Sequence, residues 1–379
     1  MALGEGTDTA IAPPLALLAE LTHRCPLRCP YCSNPLALEG ASHELATADW
    51  ERILREAAAL GVLQVHFSGG EPLARRDIVA LVAHAAAASL YTNLITSGVL
   101  LDQAKMAALA AAGLDHVQLS VQDTDPANAD RIAGLDDAHE KKLAAAALVR
   151  AAGLPLTLNA VMHRQNLHHL PDVIELALRL GAQRLEVAHV QYYGWALANR
   201  RALFPTYEAL ARATEIVAAA RERWKGVLAI DYVVPDYYAR RPKACMGGWA
   251  RQFINVSPAG TALPCHAAET LPGFAWPSLL TTSLDDAWYR SEAFNRYRGT
   301  GWMPEPCRSC ERREIDWGGC RCQAFAFTGD AARTDPACAL APDRPVLDAA
   351  RQDALAPAAD FVYRQIGAAP ARAGVTSDR

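Results

Sequence analysis

Strand-like and helix-like segments alternate six times between residues 15 and 223, and this alternation restricts the fold more than any other feature of the chain. Apolar runs typical of buried strands occupy residues 15–21, 62–67, 91–96, 116–121, 156–162 and 184–189. Helical patterns occupy residues 47–60, 77–88, 102–112, 136–152, 170–180 and 206–223. The pattern predicts an α/β fold with a parallel sheet, and either a doubly wound sheet or an incomplete barrel would satisfy it.

Three thiols follow the first predicted strand. Cys25, Cys29 and Cys32 stand within eight residues, and Tyr31 precedes the last of them. In both architectures the functional groups gather at the carboxyl ends of the strands, which is where this loop begins. Three thiols leave a tetrahedral metal one ligand short, so the spacing predicts an open metal site at which chemistry takes place.

Composition excludes several classes of protein. The chain has 37 basic and 41 acidic residues without a Lys/Arg block, which argues against a nucleic-acid or membrane-surface protein. It lacks a run of 18 apolar residues, and residues 1–13 do not have the pattern of a signal peptide. Its ten cysteines therefore predict a reducing compartment, the cytoplasm, where clustered thiols are more often metal ligands than cross-links.

The sequence changes in character at about residue 227, and the stretch 244–336 is rich in Gly, Pro, Trp and Cys with little apolar periodicity. We expect metals, more than a hydrophobic core, to stabilise it. Two four-ligand sites need eight ligands, one more than the seven thiols of this half supply. Asp316 is the candidate eighth ligand because it stands among thiols, and an ordinary surface aspartate is the alternative. The thiols are Cys245, Cys265, Cys307, Cys310, Cys320, Cys322 and Cys338.

Zinc is the alternative to iron-sulfur clusters for these thiols, since CxxC pairs occur in many structural zinc sites. The first motif favours iron-sulfur, because its three cysteines suit a cluster with one open iron. Zinc would need His23 or a distant group as its fourth ligand. His23 stands closer to Cys25 than is usual for zinc ligands, and we expect it to be a packed or loop histidine.

Two motifs together resemble those of the radical S-adenosylmethionine (SAM) enzymes. Cys25-X3-Cys29-X2-Cys32 after the first strand resembles the family's cluster motif, and the loop after the second strand resembles its motif that holds the methionine amino group. The resemblance implies a [4Fe-4S] cluster with SAM at its open iron, and a partial (β/α)6 TIM-like barrel over residues 14–226. The second loop contains Gly69, Gly70, Glu71 and Pro72.

The cysteines of the second half resemble the SPASM extension of the same family, which carries two auxiliary iron-sulfur clusters. The pattern has an aspartate in place of one cysteine. In this respect, and in the runs at 319–323 and 334–338, the chain resembles the branch of the family that acts in pyrroloquinoline quinone biosynthesis. The resemblance implies a SPASM-type domain over residues 227–340. The residues themselves predict an N-terminal tail over 1–13 and, within 341–379, a C-terminal helix over 346–366 followed by a disordered tail rich in Ala, Gly, Pro and Arg. The resemblance also implies a first auxiliary cluster, [4Fe-4S] or [2Fe-2S], held by Cys245, Cys265, Cys320 and Cys322, and a second held by Cys307, Cys310, Cys338 and Asp316.

The resemblance further implies the reaction, a carbon-carbon bond between a glutamate side chain and a tyrosine ring in a small precursor peptide. Ser120 and Gln122 would contact the ribose hydroxyls of SAM, and Asn159 would make other polar contacts. The expected partners are the precursor peptide, a small peptide-chaperone protein and an electron donor such as a flavodoxin. His189, Tyr192 and Tyr193 are candidates for the base that removes the ring proton or for peptide contacts, with core packing as the alternative.

Two other functions remain as alternatives. One is another SPASM-type enzyme that forms thioethers or matures sulfatases, and the other is a zinc-stabilised barrel that binds peptides. The Ala-rich helix containing Lys142 is expected to be an outer crossover without a direct role. His163, His168 and His169 lack a paired ligand pattern and are expected to be ordinary loop histidines.

Overall fold

Nine strands of the chain form one sheet in the linear order β7-β6-β5-β4-β3-β2-β1-β8-β9. The structure is a computed structural model and describes residues 11–365. The strands are β1 Ala16–Glu20, β2 Gln64–Ser68, β3 Tyr91–Thr96, β4 His116–Val121, β5 Leu156–Met162, β6 Arg184–His189, β7 Ala229–Val233, β8 Phe253–Val256 and β9 Ala262–Leu263.

Every neighbouring pair from β7 to β8 is parallel, and β9 joins β8 in antiparallel orientation. Because the order is linear, the sheet does not close on itself, and the predicted α/β fold with a partial barrel is confirmed. The sheet also contains two parallel strands beyond the six predicted ones. β7 extends the sheet beyond β6, and β8 returns to the other side of β1, where Phe253 pairs with Ala16.

α-Helices connect each consecutive pair of parallel strands from β1 to β7, whereas only short 3-10 turns lie between β7 and β8. The predicted strands β3 to β6 match the observed ones residue for residue. The helix predicted over 136–152 is α5, and α4, which the sequence reasoning missed, precedes it. The helices are α1 Thr47–Leu60, α2 Ile78–Ala87, α3 Gln103–Ala111, α4 Pro126–Ala133, α5 Ala138–Ala151, α6 Leu170–Arg179, α7 Gly194–Ala198, α8 Arg200–Leu203, α9 Tyr207–Arg223, α10 Leu284–Tyr289, α11 Glu292–Asn295, α12 Arg313–Asp316, α13 Arg321–Thr328 and α14 Arg344–Ala350.

The main core lies between the sheet and its helices. Leu17 and Ala19 of β1 are fully buried in it, together with Trp50 and Ile53 of α1. Side chains alternate along a strand, so Glu20 points to the other side of the sheet, the interior of the partial barrel. This alternation decides which strand residues face the helices and which face the interior of the partial barrel.

The cysteine-rich second half shares this core, contrary to the expectation that metals more than apolar burial stabilise it. Trp249, Leu279 and Trp288 are buried in the same cluster as the barrel residues. Phe274 and Trp276 pack against that cluster and stack on each other with ring centroids 4.5 Å apart. This core could not be predicted from apolar periodicity, because its large aromatic residues lie in loops and short helices without regular spacing.

The predicted helix over residues 346–366 is wrong. α14 ends at Ala350, a 3-10 turn covers Arg351–Ala354, and residues 355–365 form neither helix nor strand. Pro357 is incompatible with one helix through to residue 366, since proline lacks the N–H donor and disfavours helical backbone in the residue before it. Residues 1–10 and 366–379, including most of both predicted tails, lie outside the described residues.

Across the described range 11–365, none of the helices combines the length and the apolar character that a membrane crossing requires.

Candidate functional site

Cys25, Cys29 and Cys32 lie on an irregular loop that leaves the carboxyl end of β1, as predicted. We call residues 22–34 the cluster loop. A hydrogen bond of 3.1 Å from the Cys32 N–H to the Cys29 carbonyl closes a turn within it. Burial raises the pKa of the Cys25 thiol to about 12 and that of Cys29 to about 11. The loop thus holds three soft ligands in a poorly solvated environment.

The loop after β2 lies directly against the cluster loop. The N–H of Gly70 donates to the Thr22 carbonyl at 2.5 Å, and the N–H of Glu71 donates to the Arg24 carbonyl at 2.8 Å. Gly69 has a φ of +116°, and a Cβ atom there would collide with the Thr22 carbonyl oxygen. The glycines therefore let two loops pack backbone against backbone, a role additional to the predicted contact with SAM.

The Glu71 carboxylate is fully buried and hydrogen-bonded at both oxygens. Oε1 accepts from the Thr96 hydroxyl at 2.6 Å and from the Leu73 N–H at 3.1 Å. Oε2 accepts from the Ser97 N–H at 2.9 Å and also from the Ser97 hydroxyl. Protein donors thus use most of the acceptor capacity of this carboxylate. Glu71 joins the loops after β2 and β3, and its contact with the SAM ammonium group stays a prediction.

Lys142 lies on α5, the helix expected to be an outer crossover without a direct role, and its side chain points toward the site. Its Nζ donates to the Ser97 carbonyl at 3.0 Å and to the Ser120 carbonyl at 2.8 Å. The side chain is 3% exposed, and burial lowers its pKa to about 8. The sequence does not show which of the adjacent lysines, Lys141 or Lys142, faces inward. Lys141 is exposed in the structure, and only packing decides between the two.

Ser120 and Gln122 end β4 beside the cluster loop. The Ser120 hydroxyl lies 3.4 Å from the Thr96 carbonyl, and the Gln122 amide donates to the Tyr31 hydroxyl at 3.2 Å. The Oε1 atom of Gln122 is buried, and residues 11–365 offer it no hydrogen-bond partner. Gln122 therefore has an acceptor available to a ligand hydroxyl, which fits the predicted contact with the ribose.

Asn159 belongs to a polar group on β4, β5 and β6. Its amide donates to Oε2 of Glu186 at 2.7 Å, and the Gln118 amide donates to the same oxygen at 3.0 Å. The sequence reasoning missed this carboxylate, whose only signal is a charge at an alternate position of an apolar strand. The predicted contact of Asn159 with SAM stays a prediction.

His189 lies on the helix-facing side of β6. Its Nε2 is 3.3 Å from the Tyr232 hydroxyl, which in turn is 3.1 Å from the Thr214 hydroxyl on α9. Burial lowers the pKa of His189 to about 4. The contacts favour the packing alternative over a role as base.

Tyr192 and Tyr193 have different environments. Tyr192 packs edge-on against Phe204 and Tyr237, with ring centroids 5.1 and 4.9 Å apart, which also favours packing over catalysis. The Tyr193 hydroxyl is hydrogen-bonded to Nε2 of His266. Of the three candidates after β6, Tyr193 is the one that the structure brings beside predicted cluster ligands.

Cys245, Cys265, Cys320 and Cys322 come together from three separate segments. The four thiols act on one another, because the pKa of Cys245 and that of Cys322 are raised chiefly by Cys265 and Cys320. Cys245 and Cys322 in turn hold the pKa of Cys265 and Cys320 below the usual value of a thiol. The four residues predicted for the first auxiliary cluster are therefore neighbours.

Glu20 lies near both this quartet and the cluster loop. Burial raises its pKa, and the neighbouring charged groups that affect it include His266 and Cys265. Its charge in turn contributes to the raised pKa of Cys32, of which burial is the main cause. The sequence reasoning missed Glu20 and His266, although a carboxylate at the end of an apolar strand is a usable signal.

The second predicted ligand set lines a single pocket that contains Cys307, Cys310, Cys338 and Asp316. Asp316 is 8% exposed, accepts from the Gly318 N–H at 3.2 Å and lies 3.5 Å from Arg312. It is therefore a buried residue beside three thiols and not an ordinary surface aspartate. Its ligation of a cluster stays a prediction.

The predicted donor sets consist of thiols, with Asp316 as the one exception. Thiolates are the ligands that iron-sulfur clusters use, and they also bind zinc, so these sets are compatible with both.

Two histidines, one in the cluster loop and one beside it, are buried. The Nδ1 atom of His23 accepts from the Glu39 N–H at 2.8 Å, and burial lowers its pKa to about 4, so the prediction of a packed histidine is confirmed. His163 is fully buried, with its ring centroid 5.6 Å from that of Tyr31. His163 directly follows β5 and is a loop residue, as expected, and it is packed in the interior.

Comparisons with known proteins agree with the fold and motifs. The model of the radical SAM superfamily matches residues 19–177. The PqqA peptide cyclase of Granulibacter bethesdensis is 63% identical over 362 residues, which are 96% of this chain and 97% of that protein. The PqqA peptide cyclase of Rhodopseudomonas palustris is 62% identical over 354 residues, which are 93% and 94% of the two chains.

Two solved structures resemble the fold at low sequence identity. Streptococcus suis SuiB bound to S-adenosylmethionine has a TM-score of 0.73 at 22% identity, covering 86% of this chain and 77% of that one. Native anSMEcpe with bound AdoMet has a TM-score of 0.63 at 15% identity, covering 90% and 96%. With relatives above 60% identity along nearly its whole length, the chain belongs to the PqqA peptide cyclase family of radical SAM enzymes.

Proposed function

We propose that this chain joins a glutamate side-chain carbon to a tyrosine ring within the PqqA precursor peptide, an early step of pyrroloquinoline quinone biosynthesis. The main support is that the three-cysteine loop and the Gly-Gly-Glu-Pro loop pack against each other, in a chain 63% identical to a PqqA peptide cyclase. A carbon-carbon bond between two unactivated side chains needs a radical initiator, which this family supplies.

Cys25, Cys29 and Cys32 would hold the [4Fe-4S] cluster. SAM bound there would, after reduction by one electron, supply a 5′-deoxyadenosyl radical able to take a hydrogen atom from the glutamate. The protein's own contribution is positioning and exclusion of water. The Glu71 hydrogen bonds fix the loop after β3, and Lys142 ties that loop to the end of β4 while adding a positive charge.

Two auxiliary clusters would occupy the second half. Cys245, Cys265, Cys320 and Cys322 are neighbours that suit the first, and the pocket with Asp316 suits the second. A carboxylate donates less electron density to iron than a thiolate does, so Asp316 would tune the potential of its cluster. An auxiliary cluster would accept the electron that leaves when the tyrosine ring regains aromaticity.

The ring proton must leave in the same step. Tyr193 and His266 lie beside the first thiol quartet, and Glu20 lies near both. A proton relay next to the first auxiliary cluster, the proposed electron acceptor, would let the proton and the electron leave the tyrosine ring together. We therefore keep Tyr193 as the candidate for proton handling and no longer propose His189 or Tyr192.

The partners proposed besides the peptide are a small peptide-chaperone protein and a one-electron donor such as a flavodoxin, acting in the cytoplasm. The chaperone proposal follows from the need to present a flexible peptide to a recessed site.

The test is anaerobic incubation of the iron-loaded protein with SAM, a reductant, the precursor peptide and its chaperone. Mass spectrometry should show 5′-deoxyadenosine and a peptide lighter by two hydrogens, with fragment ions that locate the new bond between Glu and Tyr. A Cys29→Ser variant is the control and should form neither product. Deoxyadenosine without the lighter peptide would contradict the substrate, and a colourless zinc protein would contradict the radical chemistry.

A further inference from the structure

A C-terminal segment lies against the cluster loop, although more than 300 residues separate the two in sequence. We call residues 361–365 the C-terminal strap. The side-chain amide of Asn199 binds its backbone, with the Val362 N–H donating to Oδ1 at 2.7 Å and Nδ2 donating to the Val362 carbonyl at 2.9 Å. The same Nδ2 is 3.1 Å from the carbonyl of Pro30 in the cluster loop. Asn199 thus joins the strap to the loop.

A second anchor lies at Tyr363. Its hydroxyl donates to the Arg131 carbonyl on α4 at 2.6 Å, and the Arg28 guanidinium lies 5.5 Å from the centre of its ring. Arg28 belongs to the cluster loop and donates from its Nε to the Gly134 carbonyl at 3.0 Å. The strap, the cluster loop and the end of α4 therefore form one packed unit.

Arg364 is the strap residue that reaches under the cluster loop. Its side chain is 8% exposed, and Nη2 donates to the carbonyls of Leu27 at 2.6 Å and Cys25 at 3.1 Å. Its Nη1 is also buried but has no hydrogen-bond partner within residues 11–365. A buried charged donor without a partner is costly, so this atom is suited to an acceptor that the protein itself does not supply.

The charge of Arg364 lies beside the predicted cluster ligands. Its Nη2 is 3.1 Å from the main-chain carbonyl of Cys25, one of the three ligands, and 2.6 Å from that of Leu27. A guanidinium at this place favours negative charge on a group held by the cluster loop. A reduced iron-sulfur cluster carries one more negative charge than an oxidised one, so the same cation favours reduction.

We propose that Arg364 donates a hydrogen bond from Nη1 to a sulfur of the cluster held by Cys25, Cys29 and Cys32, and thereby makes this cluster easier to reduce. Hydrogen bonds to cluster sulfurs and nearby positive charge are established determinants of reduction potential. The inference depends on the proposed cluster and is independent of the peptide reaction. It makes Arg364 a positioning and tuning residue.

The test is an anaerobic redox titration of the iron-loaded full chain, followed by electron paramagnetic resonance, for the parent, Arg364→Gln and Arg364→Lys. The change that SAM causes in the spectrum identifies the relevant cluster. We expect a more negative midpoint potential in Arg364→Gln and a smaller change in Arg364→Lys. A tenfold lower ratio of reduced to oxidised cluster at fixed potential would correspond to a shift of 59 mV for this one-electron couple.

Selective loss of this cluster in Arg364→Gln, with rescue in Arg364→Lys, would also support the proposal, because it would show that the charge is needed. An unchanged potential in Arg364→Gln would overturn it, as would equal changes in both variants, which would point to packing. Weakened SAM binding without a shift in potential would overturn it too, since Nη1 would then bind SAM. Absence of a SAM-responsive cluster from the parent would contradict the proposed function itself.

Tyr363→Phe is the matched control. It removes the hydroxyl that anchors the strap to Arg131 and leaves Arg364 in place. We expect its midpoint potential to stay close to that of the parent. A shift as large as that of Arg364→Gln would assign the effect to the strap and overturn the assignment to Arg364.

Discussion

Ser97 donates two hydrogen bonds to Glu71, one from its main-chain N–H at 2.9 Å and one from its hydroxyl. The pair joins the loop after β2 to the loop after β3, directly beside the cluster loop. The glutamate of the Gly-Gly-Glu-Pro motif is therefore a structural anchor, whatever contact it also makes with SAM.

Glu71→Gln should destabilise the fold. An amide in place of the carboxylate turns one acceptor oxygen into a donor that faces protein donors, so we expect a loss of about 2–4 kcal/mol in the free energy of unfolding. Urea denaturation of the iron-free protein measures this loss. Ser97→Ala removes a single side-chain hydrogen bond and should cost about 1–2 kcal/mol. A Glu71→Gln variant as stable as the parent would contradict the anchoring role.

His189 should make stability depend on pH. Burial lowers its pKa in the folded protein to about 4, from an ordinary value of 6.5. Between these values the unfolded chain binds a proton that the folded one does not, so the free energy of unfolding falls as the pH drops from about 6.5 to about 4, by at most about 3 kcal/mol.

The measurement is urea denaturation at several pH values, with His189→Leu as the comparison. The variant should lack this part of the pH dependence. It should also keep its cross-linking activity near pH 7.5, since the side chain faces α9. Complete loss of cross-linking in a folded His189→Leu protein would restore His189 as a candidate base.

Tyr193→Phe should uncouple SAM cleavage from formation of the cross-linked peptide. The hydroxyl bound to His266 lies beside the first thiol quartet, so its removal should slow ring deprotonation while SAM cleavage continues. We expect cross-linked peptide to form about tenfold more slowly or worse, with an increased ratio of 5′-deoxyadenosine to product.

Tyr192→Phe provides the control for Tyr193→Phe, because it keeps the ring that packs against Phe204 and Tyr237. It should change neither the rate nor the product ratio by more than a small factor. Equal effects of the two substitutions would show that the loop, and not the Tyr193 hydroxyl, matters.

Asp316→Cys should shift the midpoint potential of the second auxiliary cluster to a more negative value, because a thiolate donates more electron density to iron than a carboxylate does. Redox titration followed by electron paramagnetic resonance measures the shift. Glu314→Cys places a thiol on the same helix at an exposed position and should leave the potential unchanged. If Asp316→Cys alters neither potential nor turnover, Asp316 is not a ligand that tunes a cluster.

Much of the fold and the class of chemistry could be predicted from local patterns. The bounds of β3 to β6 are correct because each is a short buried run between helical segments, and such runs are specified by neighbouring residues. The cysteine motif is equally local, since three thiols within eight residues must share one loop. The short strand β8 lacked such a signal, because its place in the sheet depends on pairing with β1, far away in sequence.

The sequence by itself determined the alternating α/β framework, the open three-thiol site and the ligands available in the second half. Only the tertiary structure decided that Lys142 and not Lys141 faces the site, that Tyr193 and not Tyr192 lies beside the thiol quartet, and that Arg364 reaches the cluster loop across 337 residues. The physical reason is that local spacing sets backbone conformation, whereas the partner of a buried charge is set by packing between segments distant in the chain.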